Sequence, residues 1–137
     1  MANVLTQFLF SRVGVPKAKA FLDLAAYRHK LISGNIANAS TPGYRARDID
    51  FKAEFERLTG EASNLKGTTT HRAHLPTGRN DKRPPEVKLE PAEKGSVNSV
   101  DIDREISNLA QNELLFTTGA RLLQKKFEGI RNAIKSK

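Results

Sequence analysis

The chain has 137 residues, with 23 Lys and Arg against 15 Asp and Glu for a formal charge of +8, and it has no Cys. Disulfide scaffolds, thiolate metal sites and Cys nucleophiles are therefore excluded, and no stretch approaches the ~20 apolar residues that span a bilayer. Hydrophobic residues make up 38%, below the roughly 45–50% of a compact globular domain, so a large private core is not expected.

Near the start, the apolar cluster Phe8, Leu9 and Phe10 precedes the first basic residue, Arg12. A secretory signal has the reverse order, so no cleaved leader is expected. The stretch Val4–Val15 reads as a short amphipathic element, either packed on its own protein or used for a partner.

From Pro16 to Asn38 the pattern is helical, and Pro16 suits the first helical position. Ala18, Leu22, Ala25, His29, Ile32 and Ile36 recur at heptad spacing, a stripe with one polar interruption. Phe21, Leu24 and Leu31 lie beside it. The helix should stop near Asn38, because Thr41-Pro42-Gly43 follows and Pro-Gly fits the centre of a type II turn.

A second, shorter helix is predicted over Phe51, Phe55 and Leu58, with Asp50 as its N-cap and Gly60 as its stop. Residues 60–99 hold Pro76, Pro84, Pro85 and Pro91 amid mixed charge. Such a composition offsets little ordering entropy, so an irregular, flexible middle is expected.

The last segment is the most regular. Ile102, Ile106, Leu109, Glu113, Phe116, Ala120, Leu123, Phe127, Ile130 and Ile134 keep an unbroken heptad register, and nine of these ten are apolar. At 1.5 Å per residue this helix would run about 50 Å. Acids open it (Asp101, Asp103, Glu105) and bases close it, an order that favours a helix through its macrodipole.

The fold class expected is thus mainly α, with long N- and C-terminal helices pairing as an antiparallel coiled coil. Setting the polar interruptions opposite each other places His29 against Glu113, Ile36 level with Ile106, Ile32 near Leu109 and Leu22 with Ala120. A polar residue inside a seam often fixes register. One hairpin cannot also cover Phe21, Leu24 and Leu31 together with Leu114, Leu115 and Leu122. Exposed apolar area on that scale marks an interaction surface, so self- or hetero-assembly is expected.

Other chemistry finds little support. His71 and His74 have a two-ligand spacing without further ligands nearby, and a solvated loop is the plainer reading. Asp48 and Asp50 read as an ion-paired turn with Arg45 and Arg47. No nucleophile elbow or phosphate loop is present, so no enzyme activity, cofactor, metal or small-molecule substrate is expected. Residues 117–137 hold six Lys and Arg and one acid. That leaves open a basic coiled-coil protein binding nucleic acid, a solvated helix face, or a basic wall lining a channel.

The run Asn35-Ile36-Ala37-Asn38, followed by Thr41-Pro42-Gly43-Tyr44, resembles the signature of bacterial flagellar rod, hook and hook-associated proteins. The stretches Arg45–Phe51, Thr70–Leu75 and Asn98–Glu105 look like those of the proximal rod proteins of that superfamily. The resemblance runs over nearly the whole chain. It implies a structural subunit of the basal-body rod, the drive shaft crossing the periplasm, exported through the flagellar type III apparatus without signal cleavage. Its partners would be other rod subunits, the adaptor at the membrane ring and the export apparatus, and it would self-associate. The whole of residues 1–137 would be one axial domain, divided into a helical part and turn (1–44), a middle (45–99) and the heptad helix (100–137). The turn at Asn35, Asn38 and Thr41–Tyr44 would redirect the chain out of an inner helical tube into a subunit contact.

Overall fold

A computed structural model describes residues 14–60, 83–91 and 98–135. The Phe8–Phe10 cluster, the His71/His74 pair and the Thr70–Leu75 stretch lie outside the described residues. Five elements follow in order: helix α1 (Val15–Ala37), strand β1 (Arg47–Ile49), helix α2 (Phe51–Thr59), strand β2 (Val87–Leu89) and helix α3 (Ile102–Lys135). Among the described residues no helix is long and apolar enough to cross a membrane.

Helix α1 starts with Pro16 in its first turn and ends at Ala37, close to the predicted limits. The turn that follows also forms as read. The Tyr44 amide donates to the Thr41 carbonyl at 3.2 Å, and Gly43 takes φ 76°, the positive value that position i+2 of a type II turn requires. Helix α2 is capped as expected. The Asp50 carboxylate accepts from the Ala53 amide at 3.1 Å, and Gly60 ends the helix with φ 73°.

Asp50 also pairs with Lys88 at 3.2 Å. The Ala53 amide, then the Lys88 ammonium, hold its carboxyl below the ordinary aspartate value of 3.8. A lowered carboxyl contributes stability above the unfolded value and loses it as pH falls through the folded one. The Ala53 amide should therefore lose hydrogen-exchange protection on acidification through that range. Asp50→Asn keeps an acceptor but no charge, and should flatten the response.

Within the segment expected to be irregular, a two-stranded pairing forms that its composition did not suggest. Strands β1 and β2 pair antiparallel, with Arg47 opposite Leu89, Asp48 opposite Lys88 and Ile49 opposite Val87. Three-residue strands leave almost no alternation to read in a sequence. What sets this pair in place is α1 beneath it: Ala46 and Ile49 are buried, and Asp48 takes a bidentate hold of Arg28 at 2.8 and 2.6 Å. That carboxylate keeps the guanidinium pKa above its ordinary value. The ion-paired turn expected around Asp48 and Asp50 is thus corrected. Their partners are Arg28 and Lys88, while Arg45 donates to the Glu90 carbonyl and Arg47 lies 5.8 Å from the Tyr44 ring centroid.

Helices α1 and α3 pack antiparallel. Gly14 lies beside Lys126, and Phe21 and Leu22 press on Gly119. The Ala25 carbonyl meets Asn112, and Asn35 meets Glu105. On α1 the predicted stripe keeps its place, with Ala25 and Ile32 buried and Leu22 on Gly119, whereas α3 is turned by one position, so that Glu105 and Asn112 are buried instead of Ile106 and Glu113. The expected pairing of His29 with Glu113 is not made; both side chains are exposed. The reason is a close approach at Gly119 and partners for polar groups on the adjoining rows, where Asn35, Glu105 and Asn112 are buried.

A second correction concerns Phe21 and Leu24, whose row was expected to await a partner. Helix α2 returns over α1, and Phe21 packs edge-on against Phe51 and Phe55 at ring distances of 5.1 and 5.7 Å. Leu24 is buried. The core sits where α1 is flanked on one side by α3 and on the other by α2 and β1.

Candidate functional site

Two features stand out: a polar knot at the turn end of the hairpin, and an apolar flank along α3.

The knot is centred on Asn35, which is 1% exposed. A primary amide has two donor hydrogens and two acceptor sites, and here all four are used. Asn35 Nδ2 donates to the Arg47 carbonyl and to Glu105 Oε2, each at 2.9 Å. Its Oδ1 accepts from the Arg47 amide at 3.0 Å and from the Tyr44 hydroxyl at 3.2 Å. One side chain therefore joins α1, the turn, β1 and the start of α3.

Asn38 finishes α1. Its Nδ2 donates to the Gly34 carbonyl at 2.8 Å, and its carbonyl accepts from the Thr41 amide at 2.9 Å. From the far side Asn98 clamps the same turn. Its Nδ2 lies 2.9, 2.7 and 2.9 Å from the carbonyls of Asn38, Ala39 and Thr41. Ser99 Oγ accepts from the Ala46 amide at 2.9 Å. Asp101 then caps α3, accepting from the amides of Asp103 and Arg104. A helix end, a tight turn and a helix start leave many backbone groups without regular partners; these side chains supply them.

The second feature is exposed. Five apolar residues are buried among those described, Leu24, Ala25, Ile32, Ala46 and Ile49, whereas eleven large ones are exposed, eight of them on α3. Ile106, Leu114, Leu122 and Ile134 are 53%, 69%, 55% and 69% exposed. Two apolar grooves flank the hairpin. One, of about 270 Å³, lies between Ala18, Phe21, Phe55, Leu115 and Leu122. The other, wider one is lined by Leu22, Ala120, Leu123 and Phe127. Burial of such surface is favourable at roughly 25 cal/mol per Å², so the flank favours association.

No protein-family model matches the chain. Individual relatives do. The chain is 35% identical to the flagellar basal body rod protein FlgB of Yersinia enterocolitica over 124 residues, covering 82% of this chain and 87% of the relative. It is 33% identical to FlgB of Salmonella typhimurium, covering 82% and 86%, and 36% identical to FlgB of Cereibacter sphaeroides, covering 83% and 88%. The chain belongs to the FlgB family of flagellar basal-body rod proteins.

Within this FlgB chain the predicted site residues separate into groups. Asn35, Asn38, Thr41 and Tyr44 meet in the knot, with Pro42 and Gly43 forming the bend. Ile32 is buried, and Leu22, Ile36, Leu109, Leu123 and Ile130 are partly buried. Ile106, Phe116 and Phe127 are exposed, as are His29 and Glu113. Glu105, Asn98 and Asn112 are the residues that heptad reasoning missed. The family-like stretches contained the first two, but their role depends on bringing residues some 60 to 70 positions apart together, which spacing along the chain does not reveal.

Proposed function

We propose that this protein is a non-catalytic structural subunit of the flagellar rod, one axial domain that is completed when the exposed flank of α3 packs on helices of neighbouring rod subunits. The observation that carries this reading is the inversion of burial: among the described residues more large apolar side chains are exposed than are fully buried. Membership of the FlgB family supports the rod as the destination. In this reading the chain is exported through the flagellar export apparatus and meets the membrane-ring adaptor at one end of the rod. The knot holds the two long helices at a fixed spacing and turns the intervening chain outward.

The test uses residues exposed in the isolated chain. Ile106→Ser with Phe116→Ser should leave the helical circular dichroism and the thermal midpoint of the purified protein near wild type, because both side chains already meet water. In a strain lacking its own copy, the same variant should be exported but absent from purified basal bodies, and swimming should be lost. Normal swimming would overturn the proposal.

A further inference from the structure

The knot and the exposed flank of α3 account for neither the apolar run Phe8, Leu9 and Phe10 nor the groove of about 270 Å³ beside Phe55. That groove lies where three helices meet. Helix α1 gives Ala18 and Phe21, α2 gives Phe55, and α3 gives Leu115 and Leu122, with Gly119 between them. Its floor is firm, because Phe21 is held edge-on by Phe51 and Phe55. Its α3 wall stays largely in water: Leu115 and Leu122 are 39% and 55% exposed. Covering that wall is favourable in proportion to the apolar area removed from water.

Gly14 and Lys126 close one end of the groove. Gly14 is also where the chain enters α1, and it does so at φ 73°, a left-handed value that residues with a Cβ rarely adopt. A Cβ here would also lie 3.0 Å from Lys126 Nζ. The chain thus departs from the line of α1 at the mouth of the groove. From Gly14 to Phe21 the helix rises about 10 Å at 1.5 Å per residue. Phe10 and Phe8 stand close before Gly14 in sequence, within a reach of roughly 13–21 Å of extended chain. The residues before Gly14 contain no acid, and their one charged side chain, Arg12, is near enough to Gly14 to remain in water at the mouth.

We infer that residues 1–13 fold back from Gly14 and seat the apolar run Phe8, Leu9 and Phe10 in this groove, against Leu115 and Leu122 of the same chain. Two observations identify the occupant. The segment starts at the groove's own end, and its side chains match the apolar walls. So short a tether also gives an effective concentration in the millimolar range, above that of a separate partner in dilute solution. Docking takes Leu115 and Leu122 out of the surface offered to neighbouring subunits and leaves them the wider groove at Leu22, Leu123 and Phe127. The contact is made within one chain, so it stands or falls apart from the rod reading.

Thermal unfolding of the full-length chain tests this through Leu122. With water as its main neighbour, Leu122→Ser should cost little; docking instead predicts a thermal midpoint lower by about 5 °C. Leu114→Ser makes the same exchange at a 69% exposed site outside the groove, and should shift the midpoint far less. Phe8→Ser with Phe10→Ser should lower it about as much as Leu122→Ser does. In that background Leu122→Ser should cost no more than Leu114→Ser, the coupling expected of groups in contact. The wild-type chain gives a second reading. Nuclear Overhauser contacts from the Phe8 or Phe10 ring to the Leu122 methyl groups should appear in a uniformly labelled sample. They should be absent from the isotope-filtered spectrum of mixed labelled and unlabelled chains, which reports contacts between chains. Equal shifts for Leu122→Ser and Leu114→Ser, additive losses in the cycle, or no such Overhauser contact would each overturn the inference. Contacts present in the filtered spectrum would assign the groove to a second copy and overturn it equally.

Discussion

Asn35→Ala should destabilise the protein by about 3–5 kcal/mol, the scale reached when a buried polar network loses its central member. The substitution removes four hydrogen bonds at once. The larger cost comes from what remains. Glu105 is buried and would lose its contact to the Asn35 amide, while the Arg47 amide and carbonyl would lose their partners beside β1. A buried polar group left unsatisfied costs roughly 1–3 kcal/mol. Equilibrium urea unfolding followed by circular dichroism measures the difference. Leu24→Ala, at a site of equal burial, is the comparison, with an expected loss of about 2–5 kcal/mol from cavity formation. Asn35→Asp separates the network from mere packing. It keeps the volume but replaces both donors with acceptors and sets a carboxylate beside Glu105. Burial and that neighbour raise the folded-state pKa of the introduced group, so the variant should be weakest at neutral pH and recover as pH falls. A loss for Asn35→Asp below about 1 kcal/mol would mean that the knot is peripheral to stability.

Much of this architecture was legible because local rules decided it. Pro16, Asp50 and Gly60 mark helix ends through their own backbone chemistry, and Pro42-Gly43 dictates its turn. The limits of α1, α2 and α3 therefore followed from the chain itself. The direction of the helix pairing was legible too, since it needs only two long apolar stripes. The stripe of α1 was as well, with Ala25 and Ile32 buried, but the rotation of α3 was not. A heptad row such as Ile102–Ile134 is wide enough to face a partner at either of two adjacent settings, and apolar content favours the greasier one. The folded chain takes the other, because Gly119 allows close approach there and because Asn35, Glu105 and the carbonyl of Ala25 find partners across the interface. That choice leaves Ile106 and Ile134 outside. The feature that misled the reading of the seam is thus the one that supplies the assembly surface.

Asn112 shows the same conflict in one side chain. It is 1% exposed and donates to the Ala25 carbonyl at 2.9 Å, yet its Oδ1 has no partner. A polar group in a seam trades stability for register. Nothing in heptad spacing would choose position 112 over the neighbouring Glu113, because the choice is made by where the Ala25 carbonyl stands on the opposing helix.

Gly119→Val should force α1 and α3 apart and cost about 3 kcal/mol, at the upper end for overpacking a tight interior. A Cβ at this position would lie 2.9 Å from Phe21 Cδ1 and 3.2 Å from Leu22 Cδ2. The Phe21 ring cannot readily give way, because Phe51 and Phe55 hold it edge-on from the other side. Gly119→Ala is the more discriminating variant, since two effects oppose each other. Alanine gains about 1 kcal/mol of helix propensity over glycine, while its methyl group meets the ring. In the wild-type background the clash should cancel or exceed the gain. With Phe21→Leu in place the obstacle shrinks, and Gly119→Ala should become stabilising by about 1 kcal/mol. The change of sign across the double-mutant cycle is the signature of direct contact. If Gly119→Ala stabilises the wild-type protein by that same amount, the helices do not approach closely at Gly119, and the argument for the rotated seam loses its steric basis.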